Sequence, residues 1–321
     1  MKSISKNNRQ STTVGKWLGL FAVFYCSILL ACSSLPTSYR KTPNKLIRDV
    51  TAIISYKKKI GISPIYNFSS IKNQNLEKII EQALIDSIKL HCKNALVITP
   101  QDPGYSKFLI SPPKLTNGVI DNFSFSNKGR SEGYNAIVSG ALTSITTREE
   151  RKGIWWFRKK HYYLQTLIFI DSYDPYDAAK IYSEPLMVEF EIRGEDAKKI
   201  NAGDEIELPL LKETIKKMAE DAGDGICTAV SSRIWKGFVT TSNLKEVTLS
   251  CGELQGIKSG NQFEAYNSAR ITEGYGEQKF FVPGYKIGEI EINQVHSNRS
   301  NGKVLTKDPI PEGSVVIPKF E

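Results

Sequence analysis

Past residue 237 this 321-residue chain loses the 3.6-residue period that marks its middle. Short runs rich in β-branched and aromatic residues follow instead, at 247–250, 262–266, 279–282, 286–295, 302–305 and 314–318. Glycines at 252, 256, 260, 274, 276, 284, 288, 302 and 313 punctuate them. With no helix to cover a sheet, such a segment buries its apolar face by folding strands onto one another. Residues 237–321 are therefore expected to form a small all-β barrel or sandwich. Within 286–295, Ile290 and Ile292 share one face while Ile287 and Val295 are out of phase. Gly288 is a natural site for a bulge that resets the phase.

Residues 57–236 mix both periods. Apolar residues alternate along 59–66, a strand. Leu76, Ile79, Ile80, Ala83, Leu84, Ile88 and His91 then fall on one helical stripe within 74–91. A second strand at 95–99 is stopped by Pro100 and the turn Asp102-Pro103-Gly104. Strand, helix, strand in that order favours a parallel crossover pair. Residues 115–130 read as loop or short helix. Two long β runs follow, 136–147 and 161–173, with 148–160 between them. Asp174-Pro175-Tyr176-Asp177 turns the chain into a third run, 181–192. Residues 193–207, charged and glycine-containing, read as loop. Helical spacing returns over 208–234 through Leu211, Ile215, Met218, Ala219, Ala222, Ile226 and Val230. Pro209 suits its first turn, and Gly223 and Gly225 are expected to weaken or bend it. Residues 237–243 read as a linker. The expected fold is α+β: a mixed sheet of about five strands with two main helices (57–236), followed by a small all-β barrel (237–321).

The amino-terminal segment speaks about location. Lys2, Lys6, Arg9 and Lys16 precede an apolar run from Trp17 to Ala31, which ends Leu29-Leu30-Ala31-Cys32. A basic region, a short apolar region and a small residue at the cut are the parts of a secretory signal. A cysteine directly after that small residue resembles the lipobox of bacterial lipoproteins. The resemblance implies cleavage before Cys32, a diacylglyceryl group on its thiol and fatty-acyl (palmitate-type) modification of the new amino terminus. A transmembrane helix is the rival reading, but fifteen residues span about 22 Å, short of a hydrocarbon core of about 30 Å. A plain cleaved signal is the other. Ser33 stands where an inner-membrane retention signal would have Asp, which favours the outer membrane facing the periplasm. Residues 32–56 then form a lipidated tether with a short, weakly helical element.

Removing residues 1–31, with four of the 43 basic residues and none of the 34 acidic ones, leaves a net charge of +5. That is too mild for a nucleic-acid binder. Cys92, Cys227 and Cys251 remain once the leader is cut and Cys32 is lipidated. A periplasmic location permits a disulfide. Cys92 and Cys227 belong to helices that could lie on one side of a sheet, so a bridge or two small buried side chains are both open readings.

The opening strand Lys59-Ile60-Gly61-Ile62-Ser63-Pro64, a helix, a strand and then long hairpins and a helix resemble the α/β domain shared by the flagellar assembly protein T family, the amino-terminal domain of the Tol translocation protein and curli-secretion lipoproteins. The stretch from Leu254 to Tyr266, Lys286-Ile287-Gly288-Glu289-Ile290 and Pro311-Glu312-Gly313-Ser314-Val315-Val316 resembles the small barrel closing the flagellar protein. The resemblance implies a non-enzymatic scaffold or assembly factor of an envelope machine, flagellar in that family. The alternative it implies is a subunit of an outer-membrane secretion channel.

Motifs for chemistry are weak. Asp171, Asp174 and Asp177 surround a turn, where carboxylates bond local amides more often than they bind calcium. Residues 252–259 miss the spacing of a phosphate loop. His91, His161 and His296 lie in different elements, and no Cys/His pair has zinc-ligand spacing. No catalytic residue, cofactor or metal site is expected. The informative constellation lies between the two long β runs: Arg148, Arg151, Lys152, Trp155, Trp156, Phe157, Arg158, Lys159 and Lys160. Aromatics flanked by cations at a hairpin tip suit a membrane interface or a protein docking site. The bland alternative tucks one tryptophan into the core. Expected partners are the membrane, through Cys32, and an envelope protein, with self-association as a further option.

Overall fold

The computed structural model describes residues 56–319 apart from positions 73 and 205, so Cys32 and the tether lie outside the described residues. Alternation and stripe do what their periods require. β1 (Lys58–Asn67) and β2 (Ala95–Ile98) are parallel, with Ile60 opposite Val97, and α1 (Leu76–His91) crosses between them. β3 (Ala136–Lys152) lies parallel to β1, with Ile60 opposite Ala136. β4 (Lys159–Asp174) and β5 (Ala179–Ile192) extend the sheet antiparallel, in the order β2-β1-β3-β4-β5. Even positions of β4, Leu164 to Ile170, point at the helices and are buried.

α1 and α5 (Pro209–Ser231) cover this face. Leu84 and Ile88 from one and Leu211, Ile215 and Ile226 from the other meet Ile60, Ile62, Val138 and Leu142. Cys92 and Cys227 are bridged, their Cα atoms 5.3 Å apart, so the end of α1 is tied to α5. α5 runs unbroken through Gly223 and Gly225, contrary to expectation. Both glycines are sites of close approach: a Cβ on Gly223 would lie 2.6 Å from the Ser87 Cβ, and one on Gly225 2.6 Å from the Tyr182 ring. Lys58 closes the far end of α5, its ammonium donating to the carbonyls of Val230 (2.8 Å), Ser231 (3.3 Å) and Arg233. Burial there brings Lys58 down to about 8.

The other face carries α2 (Lys107–Ile110) and α3 (Asn122–Ser131) near the start of β3, over Ile137 and Tyr173. Asp121 caps α3, accepting from the Ser124 amide at 3.0 Å. A further helix, α4 (Gly194–Ala202), occupies part of the segment expected to be loop. It buries only Ala197 and Ile200, too few apolar positions to show a period.

The barrel closes from β6 (Gly237–Ser242), β7 (Glu246–Leu249), β8 (Gln262–Tyr266), β11 (Lys286–Val295), β12 (Ser300–Val304) and β13 (Val315–Pro318). The expected linker is thus its first strand, between β7 and β13. The run at 279–282 instead forms β10 (Lys279–Phe281), paired with β9 (Ile271–Glu273) in a ribbon outside the barrel. The register shifts between Lys286 and Gly288, the expected bulge. Ile290, Ile292, Leu249 and Phe263 fill the interior, and Tyr56 and Trp235 pack in from the sheet side.

Arg130 is one of several residues that join the sheet layer to the barrel, with Lys57, whose amide donates to the Gln255 carbonyl at 2.9 Å, and Asn122, which donates to the Lys279 carbonyl at 2.7 Å. The Arg130 guanidinium donates to the carbonyl of Pro175 (2.8 Å), to the Ser268 hydroxyl (3.0 Å) and to the carbonyl of Tyr176, and lies 3.4 Å over the Phe281 ring. Among the described residues no helix is long and apolar enough to cross a membrane.

Candidate functional site: the tip of the β3–β4 hairpin

The long hairpin runs further than the sequence indicated. Arg148 to Lys152 and Lys159 to Lys160 are rungs of the ladder and not loop, because β3 and β4 stay paired through Lys152 opposite Lys159. Only residues 153–158 turn. Gly153 makes this reversal at φ 126°, where a Cβ would lie 2.6 Å from the Phe157 carbonyl oxygen. Trp155 to Phe157 form one 3-10 turn, closed by the Phe157 amide donating to the Ile154 carbonyl at 3.0 Å. Trp155 sits at φ 48°, a left-handed conformation that bulky residues rarely adopt.

This turn leaves four consecutive apolar side chains in solvent. Ile154 is 84 % exposed, Trp155 77 %, Trp156 72 % and Phe157 75 %. No tryptophan of the tip is tucked into the core. The two indoles lie 4.7 Å apart and Phe157 6.4 Å from Trp156, so the rings form one patch. Ile154 belongs to this cap although its residue type gave no sign of it. Its position beside Gly153 was the available signal.

Charge is layered beneath the cap. Lys152 faces Lys159 and Arg151 faces Lys160 across the ladder, two successive rungs of like charge. Directly opposed like charges destabilise a strand pair. Relief comes from one side only. Glu149 lies 3.0 Å from Lys160 and 3.7 Å from Arg151, and Glu150 3.6 Å from Lys152. The Lys160 hydrogen bond holds Glu149 below the ordinary carboxylate value, and Arg148 does the same for Glu189 at 2.7 Å. These acids are therefore ionised at neutral pH and neutralise the inner cations. Arg158 and Lys159, next to the rings, have no acidic partner among the described residues.

Other candidates are occupied locally. Asp174 accepts from the Tyr176 amide and meets Lys236 at 3.3 Å; Asp177 meets Arg233 at 3.6 Å; Asp171 meets Lys180 at 2.8 Å. Gly256, in the stretch compared with a phosphate loop, ends a 3-10 turn in left-handed conformation. His91 ends α1 with Nδ1 3.0 Å from the Ser87 carbonyl, and His161 Nδ1 lies 2.7 Å from Glu191. A cleft of 880 Å³ beside the β9–β10 ribbon holds Asp121, Glu273, Glu277 and Lys279, but Asp121 is engaged in capping α3.

No family model matches the chain, and no curated protein matches it. Solved structures similar in part include the hypothetical protein CT253 from Chlamydia trachomatis, with 10 % identity and a TM-score of 0.32 over 55 % of this chain and 99 % of that one. The PelC dodecamer from Paraburkholderia phytofirmans has 10 % identity and a TM-score of 0.30, over 56 % of this chain and 92 % of its own. Lipoprotein GNA1162 from Neisseria meningitidis has 10 % identity and a TM-score of 0.26, over 50 % and 98 %.

Proposed function

We propose that this chain is a non-enzymatic lipoprotein of the bacterial envelope. Cys32 holds it in the outer membrane facing the periplasm, where it acts as a scaffold or assembly factor. The observation that carries this reading is the hairpin tip: four neighbouring apolar side chains, each more than 70 % exposed, at the end of strands whose last three rungs, from Glu150 opposite His161 to Lys152 opposite Lys159, run on beyond β5. A soluble protein without a binding partner gains nothing from such a patch. Two further features support it. The lipobox-like Leu29-Leu30-Ala31-Cys32 supplies an anchor. The Cys92–Cys227 bridge belongs to an oxidising compartment such as the periplasm. The mechanism is effective concentration. Confining the body to a surface makes contacts effective that are weak in free solution.

The test is the intact mass of the native protein. It is expected to begin at Cys32 and to carry three acyl chains, and an unmodified terminus at that position overturns the anchor. Crosslinking in intact cells, with neighbours identified by mass spectrometry, then reads which machine is served. Flagellar components or subunits of a secretion channel are the two outcomes the sequence resemblance implies.

A further inference from the structure

We infer that the surface met by the hairpin tip is an anionic phospholipid bilayer. The inference rests on the envelope location proposed above and adds a second point of membrane contact, distinct from Cys32.

The chemistry of the tip favours lipid over protein. The centre of a protein interface is depleted of lysine, because each ammonium must be desolvated and paired. Here Lys152, Lys159 and Lys160 stand within two rungs of the rings, all exposed, with Arg158 between ring and strand. A bilayer accommodates that order. Aromatic rings rest at headgroup level, Ile154 and Phe157 enter the acyl boundary, and the cations behind them meet phosphates. Phosphates also relieve the two like-charged rungs, which Glu149 and Glu150 neutralise only in part. The hairpin makes contact without spanning, since charged residues interrupt both strands within two residues of the cap.

The reach is sufficient. β3 begins near the level of the start of β1, is paired with it as far as Leu142 and is 17 residues long, so the tip stands about 50 Å along the sheet from the start of β1. Residues 33–56 extend to at most about 80 Å. One leaflet can therefore hold both the acylated Cys32 and the tip.

Tryptophan fluorescence tests this directly. Cleavage before Cys32 leaves Trp155, Trp156 and Trp235, and Trp235 is buried. Native acylated protein is reconstituted into vesicles of phosphatidylethanolamine with 30 % phosphatidylglycerol, with and without brominated acyl chains. The expected result is a blue-shifted tip emission that the bromines quench. Both signals are lost in Trp155→Ser with Trp156→Ser, at an unchanged melting temperature. Each cation near an anionic surface favours contact about fivefold. Arg158→Ser with Lys159→Ser should thus lower the ratio of docked to free tip about 25-fold. Emission that stays unshifted and unquenched overturns the inference. So does a photo-crosslinker at position 156 that captures a protein in cells and no lipid. Acylation of Cys32 is read separately by mass, so failure of the tip and failure of the anchor are distinguishable.

Discussion

Gly223 and Gly225 are two residues apart on α5 and meet different neighbours, so the same substitution should have different consequences. A methyl group on Gly223 meets the Ser87 Cβ at 2.6 Å and the Leu84 carbonyl at 3.2 Å, and neither can rotate away. Gly223→Ala should cost about 1–2 kcal/mol net, overpacking outweighing the gain in helix propensity. At position 225 the obstacle is the edge of the half-buried Tyr182 ring, which can turn. Gly225→Ala should be close to neutral. Thermal melts of the two variants decide it, with a drop of a few degrees expected only for the first. From the sequence both glycines look like helix breakers, because only the neighbouring element shows why a side chain is excluded. Glu289 offers a second test. Hydrogen bonds from Lys286 (2.6 Å) and Lys319 (2.7 Å) lower it to about 2. A depressed folded-state value means stabilisation that is complete above the unfolded value of about 4.5 and is lost as pH falls towards 2. Glu289→Gln should melt below the native protein at pH 6 and together with it at pH 2.

Among the elements, those built on a sustained period were legible before the structure. The stripe from Leu76 to Ile88 and the alternation of β4 are examples. Two kinds of element were not. α4 is short and polar, and a helical turn is what lets Ala197 and Ile200, three residues apart, be buried together against the sheet. β6 looks like a linker from Gly237 to Asn243, and it is a strand because β7 and β13 lie on either side of it. Pairing supplied by distant strands leaves no trace in a local window. The hairpin tip was legible in kind, from its tryptophans and cations, but the length of its arms was not. Strands carrying like charge on facing rungs look like loop when each is taken alone. The bridge between α1 and α5 gives this level its prediction. It closes a loop of 135 residues, for which chain entropy gives roughly 4–5 kcal/mol. Cys92→Ala with Cys227→Ala should lower the melting temperature by about 10 °C. Thiol reductant should lower that of the native protein similarly and leave the variant unmoved.

For the molecule as a whole, Arg130 is one of the side chains that tie the sheet layer to the barrel, beside Asn122 at Lys279 and Gln255 at Gly133. The hydrogen bonds of Arg130 reach the β4–β5 turn on one side and the barrel loop at Ser268 on the other. Arg130→Met would leave these acceptors without their donor, at a cost of about 3 kcal/mol or more. Calorimetry should then resolve two transitions where the native protein gives one. A single transition at the native temperature would show that the remaining contacts suffice.

β5 has a bearing on life at high surface density. It is the outermost strand of its sheet, 14 residues long, and an open edge of that length invites accretion of further chains. Pro185 lies within it and offers no amide, and the exposed carboxylate of Glu184 stands beside it. A strand laid along this edge would meet a missing donor and a charge near its middle, which guards crowded copies against growing into fibres.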